Sequence, residues 1–383
     1  MNKELTIGDF VTFQRGYDLP KSKANTSGKY KVITSNGIMT THDSFKSGPS
    51  IVIGRSGTVG KPQLINENFW PHNTTLFVKD LKGNDIYYIY YLLLNINIDK
   101  IKSGSNIPTL NRNHLHPLKV KGTLDVVEQR NIIKVLKNID ELINNNNSIF
   151  DLTSKIINTM FNYHFFQYDF YLDNDLVYNE ILKIKIPSSW KVENLKNNSL
   201  CKPIKSGISK FEDEKVYLPT SCIIGDNIRL GDKITYDKRE SRANMQPVAN
   251  SVWIAKMKKS IKHLTITEES KFIIDNTILS TGFCGFKTNK EYLPYISCYL
   301  NSEFLENYKD KIAHGATQEA INDNDLKFIP LLIPDEKSLN GFSILTYDIF
   351  TLRNSIIEEN LKLERTRDFL LPLLMNGQVT INE

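Results

Sequence analysis

Apolar positions along this chain fall into short strand-like runs and two long stretches that repeat every seven residues. In the first half a strand-like run, SIVIGRSG (Ser50–Gly57), is followed by HNTTLFV (His72–Val78). Branched apolar residues bounded by glycine, asparagine and proline suit a pleated, buried surface. YYIYYLLLN (Tyr87–Asn95) follows as a short aromatic helix, and then KSGSNIPTLNRNHL (Lys102–Leu115). The second half runs in the same order: NSVWIAK (Asn250–Lys256), DNTILST (Asp275–Thr281), YLPYISCYLNS (Tyr292–Ser302) and AHGATQEAINDNDL (Ala313–Leu326). The offset drifts from about 200 to 211 residues, as loop insertions would make it. Four features kept in one order predict an internal duplication.

Each half ends in a heptad pattern. Ile132, Ile139 and Met160 share one heptad position, which Asn146 and Thr153 complete, and Val135, Leu142, Ile149 and Ile156 fall three residues later. Near the chain's end Phe342, Ile349, Ile356, Leu363 and Leu370 recur every seven, with Leu345, Leu352 and Leu373 as companions. Heptads sustained this long predict paired helices, and Pro372 with Gly377 marks the close of the second. The expected pairing set is Ile132, Leu136, Ile139, Ile143 and Asn146 against Ile349, Leu352, Ile356, Leu363 and Leu370. Asn146 would be a buried amide that sets register; a solvated position within Asn144–Asn147 reads equally well. Residues 165–189 read as a connection with strand character, and Trp190 as the opening of the second module.

The expected order is therefore a module (1–127), a spacer helix (128–164), a linker with a second module (165–338) and a second helix (339–383). Antiparallel helices would put the modules at opposite ends of a rod. Residues 128–161 would span roughly 50 Å at about 1.5 Å per residue, against about 34 Å for a turn of B-DNA. The ordinary alternative is two amphipathic helices, each packed on its own domain.

Composition adds limits. With 383 residues, 40% hydrophobic and 24% charged, the chain fits a two-domain globular protein, with no apolar run long enough for a membrane span and no signal peptide at MNKELTIGDF. The four cysteines form no C-x-x-C pair, so neither a zinc site nor a disulfide framework is expected, and a cytoplasmic location fits. Residues 1–127 hold 16 lysines and arginines against 9 acids, and residues 190–338 hold 22 against 20. The two helical segments are each slightly acidic. Basic modules between acidic segments suit a polyanion at the modules and protein at the helices, although many cytosolic enzymes carry similar charge.

Catalytic motifs are not supported. Gly54–Pro62 resembles a phosphate loop, but Arg55 stands where Gly-x4-Gly-Lys-Ser/Thr needs its first glycine, and Pro62 follows Lys61. A tight turn is the simpler reading, with Arg55 and Lys61 free to face phosphates. An adenine methyltransferase needs an Asn/Asp-Pro-Pro-aromatic motif, and no Pro-Pro occurs. Pro334–Lys337 only superficially resembles a nuclease cluster, and the seven histidines form no H-E-x-x-H.

Several of these words match a known family. IVIGRSGTVG (Ile51–Gly60), YYIYYLLLN, SGSNIPTLNRNHL and EQRNIIKVLKNIDELI (Glu128–Ile143) carry it in the first half. IPSSWKVENL (Ile186–Leu195), HGATQEAINDNDLKFIPLLIP (His314–Pro334) and RDFLLPLLMNGQV (Arg367–Val379) carry it in the second. The arrangement resembles the specificity subunits of type I restriction–modification systems. The resemblance implies an α+β fold: two α/β target recognition domains in pseudo-two-fold arrangement, separated by two long antiparallel coiled-coil helices. It further implies a non-catalytic subunit that reads an asymmetric, two-part site on double-stranded DNA. Two methyltransferase subunits and restriction-translocase subunits would be its partners, with S-adenosylmethionine, ATP and magnesium on those partners and no cofactor in this chain. The sequence departs from the family where Gly104-Ser105-Asn106 replaces a loop-end glutamine, which the second half keeps as Gln318. It departs again where Leu339-Asn340 stands in place of the helix-opening Glu128-Gln129.

Base reading needs forked polar side chains on loops with phosphate clamps around them. The candidates are Arg15, Lys21, Lys23, Arg55, Lys61, His72, Asn73, Lys102, Asn106 and Arg112 in the first module. In the second they are Lys205, Lys210, Lys238, Arg239, Arg242, Asn244, His314 and Gln318. Arg239–Asn244 is the densest cluster, and a solvated helix start is its plain alternative. The functional rivals are a subunit of a methylation-only or phage-defence variant, a coiled-coil adaptor without DNA readout, and a nucleic-acid transferase with an unfamiliar site.

Overall fold

A computed structural model describes residues 5–20, 27–96, 109–167, 175–229, 231–315 and 318–379. The fold is mixed α+β, with two β-rich domains and two long helices, Val126–Asn162 and Glu336–Met375. A π-helical turn, Tyr163–Gln167, continues the first helix. The chain divides into two compact units, Met1–Leu142 with Glu364–Glu383, and Ile143–Leu363, so each long helix contributes to both.

The first unit is built on a four-stranded antiparallel sheet in the order Thr12–Arg15, Thr75–Asp80, Ser50–Gly54, Pro62–Ile65. Its central strand, SIVIG, is buried throughout, which is why it reads as continuously apolar rather than alternating. A second sheet orders Gly37–His42, Tyr30–Thr34 and Phe69–Pro71, the last two parallel. The second unit repeats this plan. Its main sheet runs Cys201–Ile204, Phe283–Thr288, Ser251–Ala255, His263–Ile266. Its side sheet again pairs two strands in parallel, Lys215–Leu218 with Thr277–Ser280. Just before each long helix the chain pairs back onto its module's opening strand, Leu5–Thr6 with Lys119–Val120 and Lys191–Asn194 with Pro330–Ile333.

Strand register makes the duplication residue-specific. Val52 faces Phe77 in the first unit and Trp253 faces Gly285 in the second, with the following pairs in step: Ile53 with Leu76, and Ile254 with Cys284. Phe69–Phe77 therefore corresponds to Thr277–Gly285. This corrects the expected match of HNTTLFV to DNTILST by five residues. The shared Asn-Thr letters fall at non-equivalent places, Asn73-Thr74 in the turn between two strands and Asn276-Thr277 where a short helix meets a strand, because backbone hydrogen bonding, not letter identity, sets the register. One equivalent pair exchanges its bulk: Val52 packs opposite Phe77, whereas Trp253 packs opposite a glycine. A Cβ on Gly285 would lie 2.5 Å from the Trp253 ring, so only glycine fits there. The core volume is kept while the letters change, and the sequence repeat looks worn for that reason.

Both helices open on an aspartate cap. Asp125 accepts from the Val127 amide at 2.8 Å, and Asp335 from the Ser338 amide at 2.8 Å. Asp335 also accepts from the Trp190 indole at 3.0 Å, tying the opening of the second module to the start of its helix. That contact gives Pro334–Lys337 a structural role. Equivalent positions one turn on are Gln129, whose amide reaches the Asp125 carbonyl at 2.9 Å, and Leu339, which reaches Asp335 at 3.1 Å. Leu339 is buried in an apolar cluster. Gln129, equally buried, accepts from the Asp85 amide and donates to Asn84 Oδ1 and the Thr123 carbonyl. The second helix ends on Gly377 (φ +66°), with the Gln378 amide bonded to Leu373 O and the Gly377 amide to Leu374 O. Pro372 lies inside the last turns rather than ending them.

The inward rows of the first helix are Ile132–Ile139–Asn146–Thr153 and Leu136–Ile143–Phe150–Ile157, all buried or half-buried. The companion row therefore lies four residues on, not three. Leu142, Ile149 and Ile156 point outward at 42–49% exposure. On the second helix the inward rows are Thr346–Arg353–Asn360–Arg367–Leu374 and Phe350–Ile357–Glu364–Leu371. The expected row of Ile349, Ile356, Leu363 and Leu370 sits one residue aside, about 100° round the helix. There Ile349, Ile356 and Leu370 pack into the cores of the β-rich domains, while Leu352 and Leu345 are exposed. The reason is chemical: the seam of this helix is largely polar, so hydrophobic periodicity picked out its flank.

Within the second unit, Arg353 donates to the Phe150 carbonyl at 2.9 Å, to Ser154 and to Asp226, and its guanidinium stacks 3.8 Å over the Phe150 ring. Asn146 Nδ2 donates to Glu359 Oε2 and Asn360 Oδ1, both at 3.0 Å, and Asn360 donates to Asn147 at 3.0 Å. In the first unit Arg367 meets Asp140 at 3.0 Å, and the other oxygen of Asp140 accepts from Tyr91.

Gln129→Leu removes the partner of three polar groups without opening a cavity. It should destabilise the protein by about 1–3 kcal/mol, the usual cost of stranded buried groups. Thermal unfolding beside a Leu339→Met control measures it, and an unchanged midpoint would show that Gln129 only fills space.

Candidate nucleic-acid interface

In the first unit the loops leaving one end of the main sheet converge. The strand Ser50–Gly54 runs into Arg55, whose amide bonds to Thr74 O at 2.7 Å and whose carbonyl accepts from Leu110 at 2.8 Å. Gly16 bonds to Thr75 O, and Tyr17 to Pro71 O, so the turn after Thr12–Arg15 is held against the same segment. These backbone bonds make a rigid base for exposed side chains.

Four polar side chains join on that base. Arg15 pairs with Asp18 at 2.9 Å, Asp18 accepts from the Asn73 amide, and Arg55 Nη1 reaches the Asn73 carbonyl at 3.4 Å. The Asn73 bond, reinforced by the Arg15 charge, holds the Asp18 carboxyl below its usual range. His72 Nδ1 lies 3.1 Å from Thr74 Oγ1, and partial burial lowers its pKa, with Asp18 opposing. The ring is therefore neutral at pH 7, a hydrogen-bonding group rather than a cation. Lys61 and Arg112 are exposed nearby in sequence, the latter on the short helix Arg112–Leu115. Lys21, Lys23, Lys102 and Asn106 lie outside the described residues. The sequence reading missed Asp18. Its only signal was the three-residue spacing from Arg15, and an acid inside a basic cluster does not announce itself.

The second unit's candidates are more dispersed. Continuing the register one residue past Ile204 puts Lys205 in the place of Arg15, and it is exposed, as is Lys210. Arg239–Asn244 is not a helix start. It is a turn leading into the strand Ala243–Met245. Arg239 lies 4.0 Å over the Tyr236 ring and donates to the Tyr236 carbonyl, so its fork is already engaged. Lys238 and Arg242 are exposed, and the Arg242 carbonyl accepts from Thr281 at 2.8 Å. Asn244 is half-buried, with its carbonyl bonded to Gly207. His314 is exposed, 3.2 Å from Asn322 and 3.6 Å from Asp325, and Gln318 is exposed four residues on.

Nothing in these clusters is arranged as a nucleophile with a base. Burial pushes Cys201 and Cys284 up to about 12, where thiolate is negligible at neutral pH. Among the described residues no group of His, Cys, Asp and Glu could hold a metal ion, and no helix is long and apolar enough to cross a membrane.

Comparisons with known proteins point to one kind of protein. The type I restriction modification DNA specificity domain matches residues 2–151. The specificity subunit of the type I restriction enzyme MjaIX from Methanocaldococcus jannaschii is 23% identical over the whole chain and 86% of its own length. A crystal structure of the S subunit of a type I restriction–modification system from M. genitalium superposes with a TM-score of 0.60, at 18% identity, over 98% of this chain and 97% of that one. The chain is thus similar to type I specificity subunits along its whole length, with the family's domain matched in its first part. A putative type I specificity subunit of Mycoplasma genitalium adds a partial match, 26% identical over 39% of this chain and 41% of its own length.

Proposed function

We propose that this subunit binds double-stranded DNA at an asymmetric two-part site, each recognition domain reading one half, and that it serves as the scaffold for two methyltransferase subunits. The observation that carries the reading is the duplication. One backbone frame is built twice with different polar side chains on it: Arg15, Arg55, His72 and Asn73 in one copy, Lys205, Ser280 and Thr281 at the matching places in the other. Like frames with unlike contacts suit two different half-sites. The candidate list from the sequence stands as the contact proposal, with Arg239 the weakest member because Tyr236 already holds it.

The long helices support the scaffold role. They carry exposed apolar side chains that pairing does not use, Leu142, Ile149, Leu152 and Ile156 on the first and Ile344, Leu345, Leu352 and Phe369 on the second. Such residues on a helix face mark a protein partner. S-adenosylmethionine would then act on the methyltransferase subunits, and ATP with magnesium on restriction-translocase subunits, while this chain performs no bond-making step.

The helices would also set the spacing between the two half-sites. Seven residues inserted into each helix keep every seam residue facing its partner and lengthen the pair by about 10 Å. On co-expression with the neighbouring methyltransferase, the methylated motif should keep both halves and gain about three base pairs between them. An unchanged spacing would refute the ruler, and methylation without any split motif would refute two-part reading. Asp18→Ala should relax the motif in one half only while unfolding shifts by less than about 0.5 kcal/mol. A motif identical to wild type would remove this cluster from the interface.

A further inference from the structure

The loop that follows the second domain's central strand has no mark in the sequence, and the duplication locates it. In the first domain the loop after the central strand has three backbone marks: Arg55 N to Thr74 O, Leu110 N to Arg55 O, and a bridge between Ser56 and Thr109. The second domain has the same three, with Lys256 N to Gly282 O at 2.9 Å, Ile321 N to Lys256 O at 3.0 Å, and a bridge between Met257 and Ala320. Lys256 thus takes the place of Arg55. The loop it opens, Lys256-Met-Lys-Lys-Ser-Ile-Lys262, has four lysines where the first domain has the glycine-rich GRSGTVGK. No glycine or arginine survives to betray the equivalence, which is why the sequence alone showed nothing here.

We propose that Lys256–Lys262 is a phosphate clamp of the second recognition domain, a deepening of the function proposed above and resting on it. The loop is stiff from beneath. Lys309, with no exposed surface, donates to the Ala255 carbonyl at 3.3 Å and the Ser260 carbonyl at 3.1 Å, and pairs with Glu306 at 2.6 Å. Burial would raise the Glu306 carboxyl, but bonds from His263 and Lys309 outweigh it and leave it lowered and charged. A charged, fully buried lysine spent on two loop carbonyls is expensive support for a loop with no task.

Above that base the charges are arranged for exchange. Lys256 pairs with Asp323 at 3.2 Å and Lys258 with Glu319 at 2.9 Å. Lys262 donates to the Thr220 carbonyl. Lys259 is at the tip in the left-handed region (φ +55°), held there by its amide bond to Asp310 at 2.9 Å. Its ammonium has no partner among the described residues. The bridge to Ala320 and the bond of Lys258 N to Glu319 O set Gln318 and His314 beside the loop, so a base-reading amide stands next to phosphate-binding cations. Lysine, a compact charge without a fork, suits phosphate better than a base edge.

The test uses the complex with its methyltransferase subunits and duplexes with and without the methylated motif, titrated between about 50 and 200 mM salt. Lys259→Gln should weaken binding to both duplexes and reduce the salt slope by about 0.9, the loss of one phosphate contact. Lys259→Arg should restore it. Glu319→Gln, which frees Lys258, should act in the opposite sense, with tighter binding and a steeper slope. The methylated motif should stay the same in all three. Wild-type slopes for both Lys259→Gln and Glu319→Gln would overturn the clamp, and so would a changed motif at constant slope, which would make the loop a base reader. Absence of salt-sensitive binding in the wild-type complex is a separate failure, that of the DNA function itself.

Discussion

Three polar side chains spaced by seven, Arg353, Asn360 and Arg367, define how the two long helices meet. Each has its partner at one axial position only: Phe150 O, Ser154 and Asp226 for the first, Asn146 and Asn147 for the second, Asp140 for the third. A wholly apolar seam would tolerate a slip of one heptad, because leucine packs on leucine almost anywhere. Here a slip takes from Arg353, only 6% exposed, its acceptors on the first helix, Phe150 O and Ser154, and a buried donor left unmet costs about 1–3 kcal/mol. The polar seam gives up some stability and fixes the register.

The two β-rich domains are joined to this pair by different chemistry at equivalent places. The first uses a buried amide, Gln129, that gathers Asn84, Asp85 and Thr123. The second uses an apolar leucine at that position and moves the polar tie to Asp335 and Trp190. Both solutions satisfy the same requirement, that a helix N-terminus entering a packed domain leave no donor unmet. Neither can be exchanged piecemeal, since Gln129 without Asn84 and Asp85 would keep only its bond to the Thr123 carbonyl, and Trp190 without Asp335 would lose the carboxylate that accepts from its indole.

What was legible in the sequence follows from what kind of physics each feature rests on. The central strands, the short aromatic helices and the two long helices showed themselves because burial imposes a period, and a period survives substitution. The seam did not. Leu142, Ile149 and Ile156 obey the heptad as well as Leu136, Ile143 and Phe150 do, and only the second helix decides which row turns inward. On that helix the apolar row serves the domain cores while Arg353 and Asn360, unremarkable as letters, face the partner. The match of HNTTLFV to DNTILST failed for a related reason: Asn-Thr is a common turn pair, whereas the true equivalence, Val52 with Phe77 against Trp253 with Gly285, keeps volume and changes every letter.

Charge was the least legible property, and the structure explains why. A net of +5 looks too small for a DNA-binding chain, and the second module's near balance of bases and acids looks smaller still. Yet the acids beside the proposed contacts are not scattered. Asp18 holds Arg15 and Asn73 in place, and Glu319 and Asp323 hold Lys258 and Lys256. On the proposed reading these carboxylates do two things. They order long side chains before DNA arrives, which lowers the entropy lost on binding. They also offset the cations against phosphates in general, so that non-specific affinity stays low and the ratio of specific to non-specific binding rises. If the proposed two-part site is what the chain reads, it gains more from that ratio than from positive charge, and a sequence-wide charge count underrates it for the same reason.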